Sequence, residues 1–287
     1  MVGHASCALT ASRSSAPRQL GSEPGTRRGA TWRQLRTVLL LLVLAIVAAQ
    51  AWYDRVTTTS WRRPLWIGIY PLNGDDTATT EAYLHSLSSA RFADIERFFA
   101  TQAQRYGIRL DSPVHVELYP PPARPPPLLT PGADLLHRVW WSLQLRWYAA
   151  HAPHAAGQAP PQIRVFVLYH DPQTTPSVPH SLGLSKGLIG VVYAFAHEAA
   201  DGSNNMVITH EVMHTLGATD KYDPDTDGPL YPYGFADPDQ RPLYPQRRAE
   251  IMAGRYALTR SQFVMPDSLE QVVVGPLTAA EIRWTRP

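Results

Sequence analysis

The chain has 287 residues, 44% hydrophobic and 17% charged, which is enough apolar material for one or two folded domains and excludes a disordered or collagen-like chain. Proline is frequent, 27 residues or roughly 9% against a usual value of about 5%, which argues against an all-helical bundle and for long irregular connections. Of the 26 basic and 24 acidic residues, six arginines and one glutamate fall in the first 36 positions, so the rest of the chain carries 20 basic against 23 acidic residues; that body has no basic surplus for nucleic acid.

Residues 1–34 are rich in Ser, Gly, Pro and Arg and predict a disordered basic arm on the cytoplasmic side. TVLLLLVLAIVAAQA (37–51) follows, flanked by arginines before it and by Trp52 and Tyr53 after it. Extended to 35–53, the stretch approaches the ~20 residues of a transmembrane signal anchor. Ala49-Gln50-Ala51 has the small-x-small form of a cleavage site, so a removed signal peptide is the alternative. Both readings put residues 54–287 outside the cytoplasm, in the periplasm if the cell is a Gram-negative bacterium.

The body predicts an α+β domain. A strand at 64–72 leads into a long amphipathic helix over 79–106, with Leu84, Leu87, Ile95, Phe98 and Phe99 on its apolar side and Gly107 at its end. VHVELY (114–119) alternates as a strand, and PPPARPPP (120–127) is a polyproline spacer or a ligand for a proline-binding partner. A helix over 133–150 carries Trp140, Trp141 and Trp147, all assigned to the core. Apolar strands at 163–169 and 188–196 precede a helix over 201–216, a long Pro-, Asp- and Tyr-rich stretch, and a last helix marked by the capping-box pattern Thr278-x-x-Glu281.

The chemistry concentrates in THEVMHTLGATDKY (209–222). Residues four apart on a helix lie about 40° apart, so His210 and His214 project from one face and can hold one zinc ion, with Glu211 beside it as a base. Gly217 permits the left-handed turn that redirects the chain towards Asp220, whose carboxylate completes three protein ligands and leaves a fourth position open; Asp223 is the competing third ligand. HExxH alone would arise by chance in ~1% of chains of this composition, and the added Gly and Asp make the run far rarer. The one cysteine, Cys7, excludes an intrachain disulfide and a cysteine-built metal site.

HEVMHTLGATD resembles the HExxHxxGxxH/D signature of the metzincin zinc metallopeptidases, in the variant with aspartate as third ligand found in snapalysin-like enzymes. AEIMAG (249–254) resembles the family's methionine turn. The resemblance implies a mixed sheet with an active-site helix, zinc on His210, His214 and Asp220, Glu211 as general base and Met252 as the hydrophobic floor. It is specific over 210–220 and near 252 only. The aspartate makes the site more anionic than a third histidine would.

Tyr256 and Tyr222 are candidates for stabilising the oxyanion. Asp223-Pro-Asp225-Thr-Asp227-Gly228 matches the start of a calcium loop but has Gly234 where the twelfth-position glutamate belongs, so a calcium site and a solvated acidic turn both stand open. His197-Glu198 reads as surface, His170-Asp171 and His180-Ser181 lack a nucleophile elbow, and His180 is a candidate substrate contact. The expectation is a membrane-anchored zinc endopeptidase acting on a protein or peptide. The alternatives are a zinc-binding envelope module without turnover and a zinc hydrolase for a non-peptide bond.

Overall fold

The computed structural model describes residues 27–285 except Pro131, His180, Ser185 and Lys186, with backbone only at 27–31, 47, 50–56 and 182–184. Two compact units divide at Ala48. The first is the start of helix α1 (Arg27–Thr58), which begins inside the arm predicted to lack structure; most of that arm lies outside the described residues. From Leu35 to Ile46 its apolar side chains are exposed. Among the described residues no helix is long and apolar enough to cross a membrane, and part of the predicted 35–53 segment lies outside the described side chains.

The second unit is built on a five-stranded sheet of β1 (Leu65–Asn73), β2 (Val114–Leu118), β3 (Ile163–His170), β4 (Leu182–Leu184) and β5 (Ile189–Phe195), in the order β2-β1-β3-β5-β4. Four strands are parallel and only the edge strand β4 runs antiparallel, against β5. The sheet is mixed, as expected, but predominantly parallel, which makes the domain mixed α/β where an α+β arrangement was expected. Parallel strands are covered on both faces, which is why β3 and β5 read as continuous apolar runs.

Alternation sorts the sheet's side chains into two cores. Ile67, Ile69, Val165, Val167 and Val192 face helices α3 (Ala93–Arg105) and α5 (Asp201–Leu216), whereas Tyr70, Phe166, Leu168 and Val191 face α4 (Leu135–Ala150). The helix predicted over 79–106 is broken into α2 (Ala78–Ser86), a 3₁₀ turn at Ser89–Phe92, and α3. Leu87 and Ser88 are extended between them, as expected where serines offer the backbone competing hydrogen bonds. Trp141 is core, but Trp140 and Trp147 are 61% and 67% exposed, correcting their assignment to the interior.

Short pairs complete the unit: β6 (Ala249–Glu250) with β9 (Val272–Val273), and β7 (Tyr256–Ala257) with β8 (Phe263–Val264). The last helix, α6 (Pro276–Glu281), starts at Gly275 with no side-chain cap. Thr278 and Glu281 do not form the expected capping box; they reach out to the long loop instead.

Candidate metal centre

Helix α5 is an interior helix. Asn204 ties its first turn to β5, accepting from the Phe195 N–H and donating to the Phe195 carbonyl. Asp201 anchors the same end to Tyr83 and Arg91, and Arg91 also pairs with Glu198, which confirms the surface role of that residue. The last turn closes on Gly217 at φ 105, a left-handed conformation that places its N–H on the His214 carbonyl. That reversal returns the chain towards the helix, and Asp220 arrives beside the two histidines.

His210 Nδ1 donates to the Ile251 carbonyl at 2.9 Å and His214 Nδ1 to the Ala218 carbonyl at 3.0 Å. Both Nε2 atoms then carry lone pairs rather than protons. They lie 3.1 Å apart, and Asp220 Oδ1 stands 3.2 Å from one and 3.1 Å from the other. Three electron-rich atoms facing one point repel unless a cation occupies it. A tetrahedral site with bonds of about 2.0–2.1 Å has edges of about 3.3 Å, so the triangle fits a zinc-sized ion. Among the described residues this is the one group of three such side chains able to hold a metal.

The neighbouring charges match. Burial works against the imidazolium of His210, but the Asp220 carboxylate, Glu211 and the Ile251 carbonyl outweigh it and raise its pKa. Asp220 is held well below the usual carboxylate range: burial opposes this, and the close approach of the two imidazoles prevails. Glu211 is 5% exposed. Burial lifts its carboxyl above the ordinary value against the pull of both histidines, and its Oε2 has no hydrogen-bond partner. An unpartnered carboxylate oxygen of raised basicity is suited to taking a proton.

Three supports were not evident from the motif. Glu250 is fully buried and accepts four hydrogen bonds, from the N–H groups of Met252, Ala253 and Gly275 and from the Thr278 hydroxyl. These shape the turn 250–254, in which Ile251 presents the carbonyl that orients His210 and Met252 is fully buried. Lys221 and Glu281 form the other two: the buried ammonium contacts Glu281 at 2.8 Å and the Thr219 carbonyl at 2.6 Å, while Glu281 accepts from the Thr219 N–H. Asp220 is thus gripped through both neighbours, and the Lys221 N–H donates to the Met252 carbonyl. A glutamate or lysine buried by tertiary packing carries no local sequence signal.

A cleft of about 410 Å³ opens over the site, bordered by Tyr193, Phe195, Val207, Glu211, Tyr222 and Arg255 among others. Tyr222 stands with its ring 6.5 Å from that of His210, and burial together with the nearby carboxylates keeps its phenol protonated. Tyr256 instead pairs with Val264 in the β7–β8 ribbon and does not border the cleft. The converging group includes Asp220 and not Asp223, whose Oδ1 accepts the N–H groups of Asp225 and Thr226, while Asp227 pairs with Arg255 at 3.2 Å. Among the described residues, Asp223, Asp225 and Asp227 do not form a converging group of three ligand atoms. His170 packs by Tyr193 and, among the described residues, no serine bonds to its buried Nε2; His180 lies outside the described residues. No family model matches the chain, and no curated protein matches it.

Proposed function

We propose that this chain is a metzincin-like zinc endopeptidase, held at the outer face of a membrane through its apolar 35–53 segment. The observation that carries the reading is the convergence of His210 Nε2, His214 Nε2 and Asp220 Oδ1 within 3.2 Å of one another, next to a buried Glu211 whose Oε2 is unpartnered. When bound, zinc supplies Lewis acidity towards a carbonyl group and towards water. Glu211 takes the proton of the attacking water and hands it to the leaving amine. Tyr222 donates to the oxygen on which negative charge develops. A binding module without turnover has no use for an unpartnered buried carboxylate, which favours catalysis over the non-catalytic alternative.

The test is digestion of a mixed peptide library by the full chain in detergent, with its metal content measured alongside. Cleavage is expected to disappear with a chelator and return with zinc, and the melting temperature to fall on chelation, since a ligand bound only to the native state stabilises it. Zinc bound stoichiometrically with no cleavage of any peptide overturns the peptidase reading. Tyr222→Phe is expected to lower kcat by about 10²-fold with little change in KM, the scale of one lost oxyanion donor, and Tyr256→Phe to leave both unchanged; steady-state kinetics on one cleaved peptide decides between the tyrosines.

A further inference from the structure

Helix α4 is apolar on both sides. Trp141, Leu145 and Ala149 are buried against the sheet, and in a water-facing helix the opposite arc should be polar. Here that arc holds Leu136, Val139, Trp140, Leu143 and Trp147, each more than half exposed. Five large apolar side chains at i, i+3, i+4, i+7 and i+11 form one continuous stripe. Such a patch marks an interaction surface.

A second observation says what covers it. At the C-terminal end of the stripe lies a pocket of about 700 Å³ to which Arg62, Arg63, Arg146 and Arg164 contribute, with Ser60 and Gln162, and no carboxylate among its described lining residues. Arg146 belongs to α4 itself, between Leu143 and Trp147. Arg164 lies beside the Tyr70 phenol, and among the described residues none of the four arginines forms an ion pair. Four guanidinium groups without counter-charges in one concavity suit phosphate oxygens, which they hold in pairs. A protein partner would need a strongly acidic segment joined to an apolar one; a phospholipid layer offers anionic headgroups and acyl chains at the required adjacency. The chain adds a third argument, since Arg62 follows by nine residues the end of the apolar 35–53 segment.

We propose that the outer face of α4 and the arginine pocket dock together onto an anionic phospholipid surface, the tryptophans and leucines entering the headgroup layer and the arginines holding lipid phosphates. This attachment is independent of the chemistry in the cleft.

The experiment uses the full chain in lipid nanodiscs, in a Cys7→Ser background carrying an environment-sensitive fluorophore at Leu143→Cys, with Gln104→Cys on α3 as the control position. In discs containing phosphatidylglycerol, the label at 143 is expected to be quenched by nitroxide lipids and the label at 104 to remain in water. In phosphatidylcholine discs, or with Arg62, Arg63 and Arg146 all changed to Gln, the docked fraction is expected to fall by about a hundredfold, on the scale of fivefold per arginine. Trp140→Ser with Trp147→Ser is expected to abolish quenching without changing peptide cleavage. A label at 143 that stays in water in anionic discs overturns the proposal. So does quenching that ignores both lipid charge and the arginines, and so does tight binding of inorganic phosphate by the detergent-solubilised chain with no quenching in discs, which assigns the pocket to a soluble anion.

Discussion

Glu211→Gln is expected to reduce peptide cleavage by about 10³-fold while the variant retains its full complement of zinc. The substitution keeps the shape of the side chain and removes only its capacity to accept a proton. The three candidate ligands are untouched, because Glu211 donates no atom to the triangle of His210, His214 and Asp220, so metal content by elemental analysis should not change. The melting temperature should hold or rise, since a buried carboxylate with an unpartnered oxygen is itself costly. Full activity with zinc retained would remove Glu211 from the mechanism. Loss of metal together with activity would instead make it a structural part of the site.

A second large effect is expected away from the cleft. Glu250→Ala leaves three backbone N–H groups and the Thr278 hydroxyl without their acceptor in the interior. Each buried donor left unpaired costs about 1–3 kcal/mol, so a total of about 4 kcal/mol or more is reasonable even with some water entering the space. For a domain of this size that corresponds to a fall in melting temperature of roughly 10 °C. Zinc affinity should drop with it, because the Ile251 carbonyl that holds His210 sits on the same turn. Glu250→Gln retains one acceptor and should lie between the two. A melting temperature for Glu250→Ala within a degree or two of the parent would show that the turn stands without its carboxylate.

The candidate site was legible because its chemistry is local. His210, His214 and the Gly217 turn are fixed by one helix and its end, and the seam between α5 and Asp220 follows from a left-handed residue only glycine adopts cheaply. Strands β1, β2, β3 and β5 were legible in the same way, from apolar or alternating runs bounded by turns, whereas the short strands β4 and β6 to β9 were not. What stayed hidden depends on contacts across the chain. The sheet's parallel register comes from crossovers, which periodicity along one strand does not encode. The break at Leu87 and Ser88 hides inside an apolar pattern that continues across it. Trp140 and Trp147 share composition with Trp141, and only the rotation of α4 against the sheet separates the buried ring from the exposed ones. Glu250, Lys221 and Glu281 look like ordinary surface charges until packing from residues 25 to 60 positions away closes over them.

The grip of Glu281 on Thr219 and Lys221, together with that of Thr278 and Gly275 on Glu250, also has a consequence in time. Both histidines, the base and the aspartate are synthesised well before the residues that hold them in place. On the proposed peptidase reading, a nascent chain would carry every reactive group while lacking the arrangement that makes them act together, and would stay inert towards its neighbours and itself until α6 docks. A chain ending at Val274 is therefore expected to contain the complete HExxHxxGxxD run and to bind zinc at least tenfold more weakly, with no peptide cleavage; equilibrium zinc titration of that truncated chain against the parent measures the delay built into the order of synthesis.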